Sequence, residues 1–189
     1  NQEELENMKA TGIVRRVDEL GRLVIPKEIR RTMRLAEGTP LEIFTDREGQ
    51  IILKKYSPMM ELGSFAKQYA ESVAQTMNQK VAVSDRDQII AVAGGGKREL
   101  LGKTISRQLE EMIINRENSI QAGLDKKTIP LISGDEDSYS AQAIYPICCE
   151  GDCIGAVILY SRENQTHFSE TEYKAAACAA SFLGKQMEG

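Results

Sequence analysis

Lys27, Arg30, Arg31 and Arg34 recur at i, i+3, i+4 and i+7, so a helix over this stretch would carry four cations on one face. Like charges stacked in that way repel by roughly 0.2–0.5 kcal/mol per pair, so the stripe works against the helix that carries it. The chemistry open to it is ionic, with guanidinium and ammonium groups gripping the phosphate oxygens of a polyanion. A basic helix face standing alone is most often a solvated face. Here Lys9, Arg15, Arg16 and Arg22 crowd into the same short stretch, and together they favour phosphate binding.

The elements that would position these cations follow from local chemistry. Lys9 to Val17 is rich in β-branched residues and reads as a strand, weakened by Gly12. Leu20-Gly21 marks a turn, and Leu23-Val24-Ile25 a short apolar strand. Pro26 falls where a missing N–H costs nothing, in the first helical turn. The helix should run to about Leu35, stopped by Gly38-Thr39-Pro40, with Ile29 and Met33 anchoring its other face. Leu41 to Thr45 and Gln50 to Lys55 read as a hairpin closed by Asp46-Arg47-Glu48-Gly49. So few residues make a poor core alone, so the module should bury its apolar face in a partner or interleave with a second copy of the chain.

The run from Lys9-Ala10-Thr11-Gly12-Ile13-Val14-Arg15-Arg16 through Asp18-Glu19-Leu20-Gly21-Arg22-Leu23-Val24-Ile25-Pro26-Lys27-Glu28-Ile29-Arg30-Arg31 resembles the DNA-binding domain of the AbrB transition-state regulators. Leu41-Glu42-Ile43-Phe44 and Ile51-Ile52-Leu53-Lys54-Lys55-Tyr56 fit the same pattern. The resemblance implies a β-rich swapped-hairpin barrel formed by dimerisation. It places the DNA-contacting arginines on Arg15, Arg22, Arg30 and Arg31; Lys9, Arg16, Lys27 and Arg34 are weaker candidates from charge and periodicity. Members with a C-terminal GAF-type domain are sequence-selective regulators, activating or repressing, of sporulation-stage genes. Promoter DNA, dimerisation through the N-terminal domain, tetramer assembly through the GAF-type domain and a nucleoid-associated place in the cytoplasm are implied with it. Two rivals remain. Antitoxin-type repressors share the swapped-hairpin fold, and some GAF proteins are thiol-based redox enzymes.

The rest of the chain reads differently. Pro58 to Gln79 is helical, with Met59, Leu62, Ala66, Tyr69, Val73 and Thr76 forming a seam that covers a sheet or pairs with another chain. Strands are expected at Lys80 to Ser84, Ile89 to Ala93 and Ile129 to Ser133, with helices from Arg98 to about Arg116 interrupted at Gly102-Lys103. A hairpin from Ala141 to Tyr160 should turn near Glu150-Gly151-Asp152. Ser169-Glu170-Thr171-Glu172 is a capping box opening a last helix through Tyr173, Ala176, Ala180, Leu183 and Met187. These features indicate an α+β domain with one central antiparallel sheet, similar to GAF-type sensor domains. The expected division is residues 1–7 as a cloning-derived remnant or disordered tail before Met8, 8–56 for DNA binding, 57–79 as a linker helix, and 80–189 for sensing or oligomerisation.

Charge supports that division. Between Met8 and Lys55 eleven Lys/Arg face seven Asp/Glu, whereas from Tyr56 onward thirteen face eighteen. A basic domain tied to an acidic one fits a chain in which only one part meets nucleic acid. No run of apolar residues approaches the roughly 20 needed to span a bilayer. Cys148, Cys149, Cys153 and Cys178 are not spaced as a disulfide framework and are expected to stay reduced as small apolar residues. Gly94-Gly95-Gly96-Lys97 lacks the earlier glycine and following Ser or Thr of a phosphate loop, and reads as a strand-to-helix turn. Asp135-Glu136-Asp137 does not follow calcium-loop spacing and reads as a solvated loop. With one histidine, His167, neither a catalytic constellation nor a metal site is legible. No cofactor is expected, and any small-molecule ligand of the GAF-type domain is left unidentified.

Overall fold

Alternation along Val81-Ala82-Val83 and Ala156-Val157-Ile158-Leu159-Tyr160 sends successive apolar side chains to opposite faces of one sheet, and both faces are covered. The computed structural model describes residues 11–47, 49–56, 63–122, 128–135, 139–163 and 166–187. The chain divides into two compact units, Asn1–Lys55 and Tyr56–Gly189.

In the first unit, helix α1 (Lys27–Thr32) precedes strands β1 (Leu41–Thr45) and β2 (Ile51–Lys55), which pair antiparallel with Leu41 opposite Lys55 and Thr45 opposite Ile51. The hairpin turn is closed by Asp46, whose carboxylate accepts the Gln50 N–H at 2.8 Å. Two expectations fail here. Residues 11–17 and 23–25 form no strand among the described residues. β-branched content readies a segment for a sheet, but a ladder needs a partner edge, and among the described residues these segments pair with neither outer edge of the β1–β2 hairpin. The helix also stops three residues early. Leu35 N–H bonds the Arg30 carbonyl and Arg34 N–H the Arg31 carbonyl, a Schellman closure that puts Arg34 in the left-handed region at φ 51°.

The second unit contains α2 (Gly63–Met77), β3 (Lys80–Asp85), β4 (Ile89–Ala93), α3 (Lys97–Leu100), α4 (Arg107–Ile114), β5 (Ser119–Ala122), β6 (Ala141–Cys149), β7 (Asp152–Ser161) and α5 (Glu170–Gln186). Its sheet runs β4-β3-β7-β6-β5 with every pair antiparallel. α2 and α5 cover one face, through Ala66, Ala70, Ala74, Ala176 and Leu183 packed on Val83, Ala143 and Leu159. The alanines let the helix backbones approach the sheet closely. α3, α4 and Leu131 fill the other face against Ile144 and Ile158. α5 opens with the expected capping box at Ser169 and Glu172. Ser106 caps α4, accepting the Leu109 N–H at 3.1 Å and donating to the Pro130 carbonyl at 2.6 Å.

Several expectations are corrected in this unit. Ala66, Tyr69 and Val73 of the expected α2 seam pack on the sheet face, with Ala70 and Ala74 buried beside them, whereas Thr76 is exposed; Pro58, Met59 and Leu62 lie outside the described residues. Ile129 to Ser133 is not a ladder strand. The Gln142 side chain takes both sides of the Ile129 peptide, at 2.9 and 2.6 Å, and the rest of the segment makes only one antiparallel bridge, Ile132 to Ile105, with the Ser106 N–H on the Leu131 carbonyl and the Ser133 N–H on the Thr104 carbonyl. The edge strand is instead β5, which has little β-branched content to announce it. Asp135 is not solvated: its carboxylate accepts from the Tyr139 hydroxyl at 2.5 Å and lies 3.6 Å from Arg162, while Glu136 and Asp137 fall outside the described residues. Burial, and then that bond to Asp135, push the Tyr139 hydroxyl above its ordinary range. The cysteine expectation also fails, because Cys148 and Cys153 are joined in a disulfide across the β6–β7 turn, with Cα atoms 3.9 Å apart. They sit directly opposite in register, as the position of these cysteines on either side of the expected hairpin turn allows; what the spacing does not decide is which thiol pairs and that the pair is bonded.

Gly155 of β7 backs onto the Ser84 carbonyl oxygen, and a Cβ there would overlap it. Gly155→Ala should therefore cost about 1–3 kcal/mol in urea unfolding, since the clash is with backbone that cannot step aside. Gly63→Ala, where nothing lies within 4 Å, should stay within about 0.5 kcal/mol of the parent.

Candidate nucleic-acid interface

The geometry of the basic unit starts from Asp18. Its carboxylate accepts the backbone N–H groups of Leu20 and Arg22, at 3.0 and 2.8 Å, and the Arg22 Nε at 2.7 Å. The loop closes further through Asp18 N–H to the Arg22 carbonyl and Gly21 N–H to the Asp18 carbonyl, both 3.0 Å. Gly21 takes φ 75°, the conformation the turn requires. Asp18 thus fixes where Arg22 leaves the chain, while the arginine side chain stays 70% exposed. An exposed pair of this kind contributes little stability; its effect is to orient.

Arg15 and Arg16 are exposed on the segment before this turn, with Arg15 Nη1 donating to the Val14 carbonyl at 3.0 Å. Lys27, Arg30 and Arg31 are exposed on α1, with the two arginines in its last turn, where the helix dipole favours cations. Arg34 lies beyond α1, so the four-cation stripe becomes three cations on the helix and one at its cap. Lys9 lies outside the described residues. Asp18 was not singled out in the sequence, although an Asx residue ahead of Gly21 is a turn signal that could have found it.

A second property sits beside the cations. Among the described residues of this unit only Pro26 is buried, and Val14, Val24 and Ile43 are 84%, 73% and 66% exposed. Ile13, Leu23, Pro26, Met33, Leu41 and Leu53 line an apolar groove of about 460 Å³. The unit therefore presents exposed cations and an uncovered apolar surface at once.

Comparison with known proteins places these features. The family described as stage V sporulation protein T C-terminal, transcription factor, matches residues 61–188. Stage V sporulation protein T of Bacillus subtilis (strain 168) is 50% identical over 181 residues, covering 96% of this chain and 99% of that protein. The chain belongs to this family. Its basic unit is also similar to the transition state regulatory protein AbrB of the same organism, 66% identical over 53 residues that make up 28% of this chain and 54% of that one. The family described as antidote-toxin recognition MazE, bacterial antitoxin, matches residues 14–60. The second unit has the GAF fold: the GAF domain of an Acinetobacter phosphoenolpyruvate-protein phosphotransferase superposes with a TM-score of 0.55 at 12% identity, covering 71% of this chain and 84% of that chain. Among the described residues, no helix is long and apolar enough to cross a membrane.

Backbone N–H bonds from Arg22, and then its side chain, hold the Asp18 carboxyl below its ordinary value of 3.8. A carboxylate depressed in the folded state supports the turn fully above that value and loses it as pH falls through the lower one. The Leu20 and Arg22 amide shifts should stay constant in NMR spectra from neutral pH to about pH 4 and move below it. Asp18→Ala should show the acid-state shifts throughout.

Proposed function

We infer that the chain is a DNA-binding transcription regulator of sporulation-stage genes, with residues 8–56 binding promoter DNA and the GAF-type unit serving assembly or signal sensing. The observation that carries this reading is the pairing of exposed cations with uncovered apolar surface in a unit without a core of its own. Full-length similarity to a sporulation protein of the same two-part design supports it. The apolar side chains call for a second copy of the same unit, and 11–17 and 23–25 are the segments available to complete a sheet with it. Two copies present Arg15, Arg22, Arg30 and Arg31 in duplicate, suited to phosphate contact and to bidentate grip on guanine. Arg16, Lys27 and Arg34 add charge around them. The GAF-type units then join two such dimers into a tetramer. The chain acts by binding, in the cytoplasm and at the nucleoid, rather than by catalysis.

A second reading has one observation in its favour, the antitoxin match over residues 14–60. Against it, the chain beyond residue 60 matches the sporulation transcription factor family instead.

Arg15→Ala or Arg30→Ala should weaken binding to a promoter fragment in gel shift by about tenfold or more, equivalent to roughly 1–3 kcal/mol, with the melting temperature unchanged. Full affinity in both variants would remove those residues from the interface. For about six neutralised phosphates, affinity should fall on the order of 10³-fold between about 50 and 200 mM salt. Light scattering with and without the fragment reads the stoichiometry, and a monomer at micromolar concentration would contradict the assembly.

A further inference from the structure

The β6–β7 hairpin ends in a cluster of three cysteines that DNA binding does not use. Cys148 and Cys153 face each other in register and are bonded, whereas Cys149 and Cys178 lie outside the bond. The two bonded residues differ in access: Cys148 is exposed and Cys153 is 3% exposed. The ladder is irregular between Ile147 and Cys148, so the hairpin tip departs from regular pairing where the bond sits.

The tip touches three other elements. The Cys153 carbonyl accepts the Arg86 Nε at 2.6 Å, from the turn between β3 and β4. The Gly151 carbonyl accepts Arg116 Nη2, from just beyond α4. On the third side the Cys148 carbonyl packs on Gly184 of α5, so closely that a Cβ at 184 would overlap it. Whatever moves Cys148 therefore moves the surface on which the last turn of α5 rests.

We propose that Cys148 and Cys153 form a reversible dithiol–disulfide site for low-molecular-weight thiols and disulfides, whose state sets how firmly the hairpin tip holds the C-terminal turn of α5. The exposed Cys148 sulfur is the point of attack. A small thiolate bonds to it and the Cys148–Cys153 bond breaks, with Cys153 leaving as thiolate and taking a proton. A second small thiolate attacks the small-molecule sulfur of the mixed disulfide, releases Cys148 and leaves as the small disulfide. Two electrons pass from two small thiols to the protein; a small disulfide reverses both steps. Reduction removes the covalent tie across an irregular tip, leaving Gly184 packed on a freer loop.

The test uses the full chain carrying Cys149→Ser and Cys178→Ser, equilibrated in graded mixtures of reduced and oxidised dithiothreitol, quenched in acid, alkylated and weighed intact. The proposal expects two species only, unalkylated and doubly alkylated, exchanging reversibly with the mixture. It also expects severalfold faster hydrogen exchange over Gly184–Met187 in the reduced form. Double alkylation at every mixture would overturn the site. A bond that yields only after unfolding would make it a permanent crosslink and overturn reversibility, and unchanged exchange at Gly184–Met187 would overturn the hold on α5. Should the double variant not fold, peptide mapping of the unaltered chain serves; a bond joining Cys149 or Cys178 to either partner would refute the assignment.

Discussion

Residues 11–56 carry apolar side chains that they cannot enclose, and that constraint organises the molecule. Among the described residues of this unit only Pro26 is buried, and they form one short helix and one hairpin. Such a segment exposes apolar surface and unpaired strand edges unless another surface covers them. The same shortness leaves the cations outside, because the described residues enclose no interior to receive their stems. Uncovered apolar groups and exposed arginines are thus two consequences of one deficit in chain length.

The second unit has the opposite character. Its sheet is covered on both faces, by the alanine-rich α2 and α5 on one side and by α3, α4 and Leu131 on the other. Two polar groups there have specific tasks. Asp85 closes the β3–β4 turn by accepting the N–H groups of Asp87 and Gln88, both at 2.7 Å, and Gln142 serves Ile129 as a strand would. A self-sufficient unit in the same chain as an incomplete one fits the proposed function, in which the first unit meets DNA and pairs with a second copy while the second unit joins the dimers.

Much of this was legible in the residues, for local reasons. The β3, β4, β6 and β7 strands, the capping box at Ser169 and the break at Gly102 depend on patterning and turn chemistry that act over a few residues. The misreadings share another cause. Ile129 to Ser133 has strand composition, but a glutamine side chain took the bonds of Ile129 and the remainder pairs only briefly with 104–106, away from the sheet. Residues 11–17 have it too, but pair with no strand among the described residues. Arg34 keeps the helical period on paper, yet the Schellman closure turns it away.

The sequence alone determined the basic character of the first unit, its turn at Gly21, the two-part division of charge and the helical and strand periodicities, since composition and nearest-neighbour sterics decide these. Only the tertiary structure decided that Asp18 orients Arg22, that Asp135 is drawn into an ion pair, that β5 rather than 129–133 joins the sheet, and that Cys148 rather than Cys149 is bonded to Cys153. Each of these depends on backbone geometry or on partners set by the fold: a turn's exact dihedrals, competition for an edge, or the register of a hairpin. Residue spacing does not encode distance once the chain has folded back on itself.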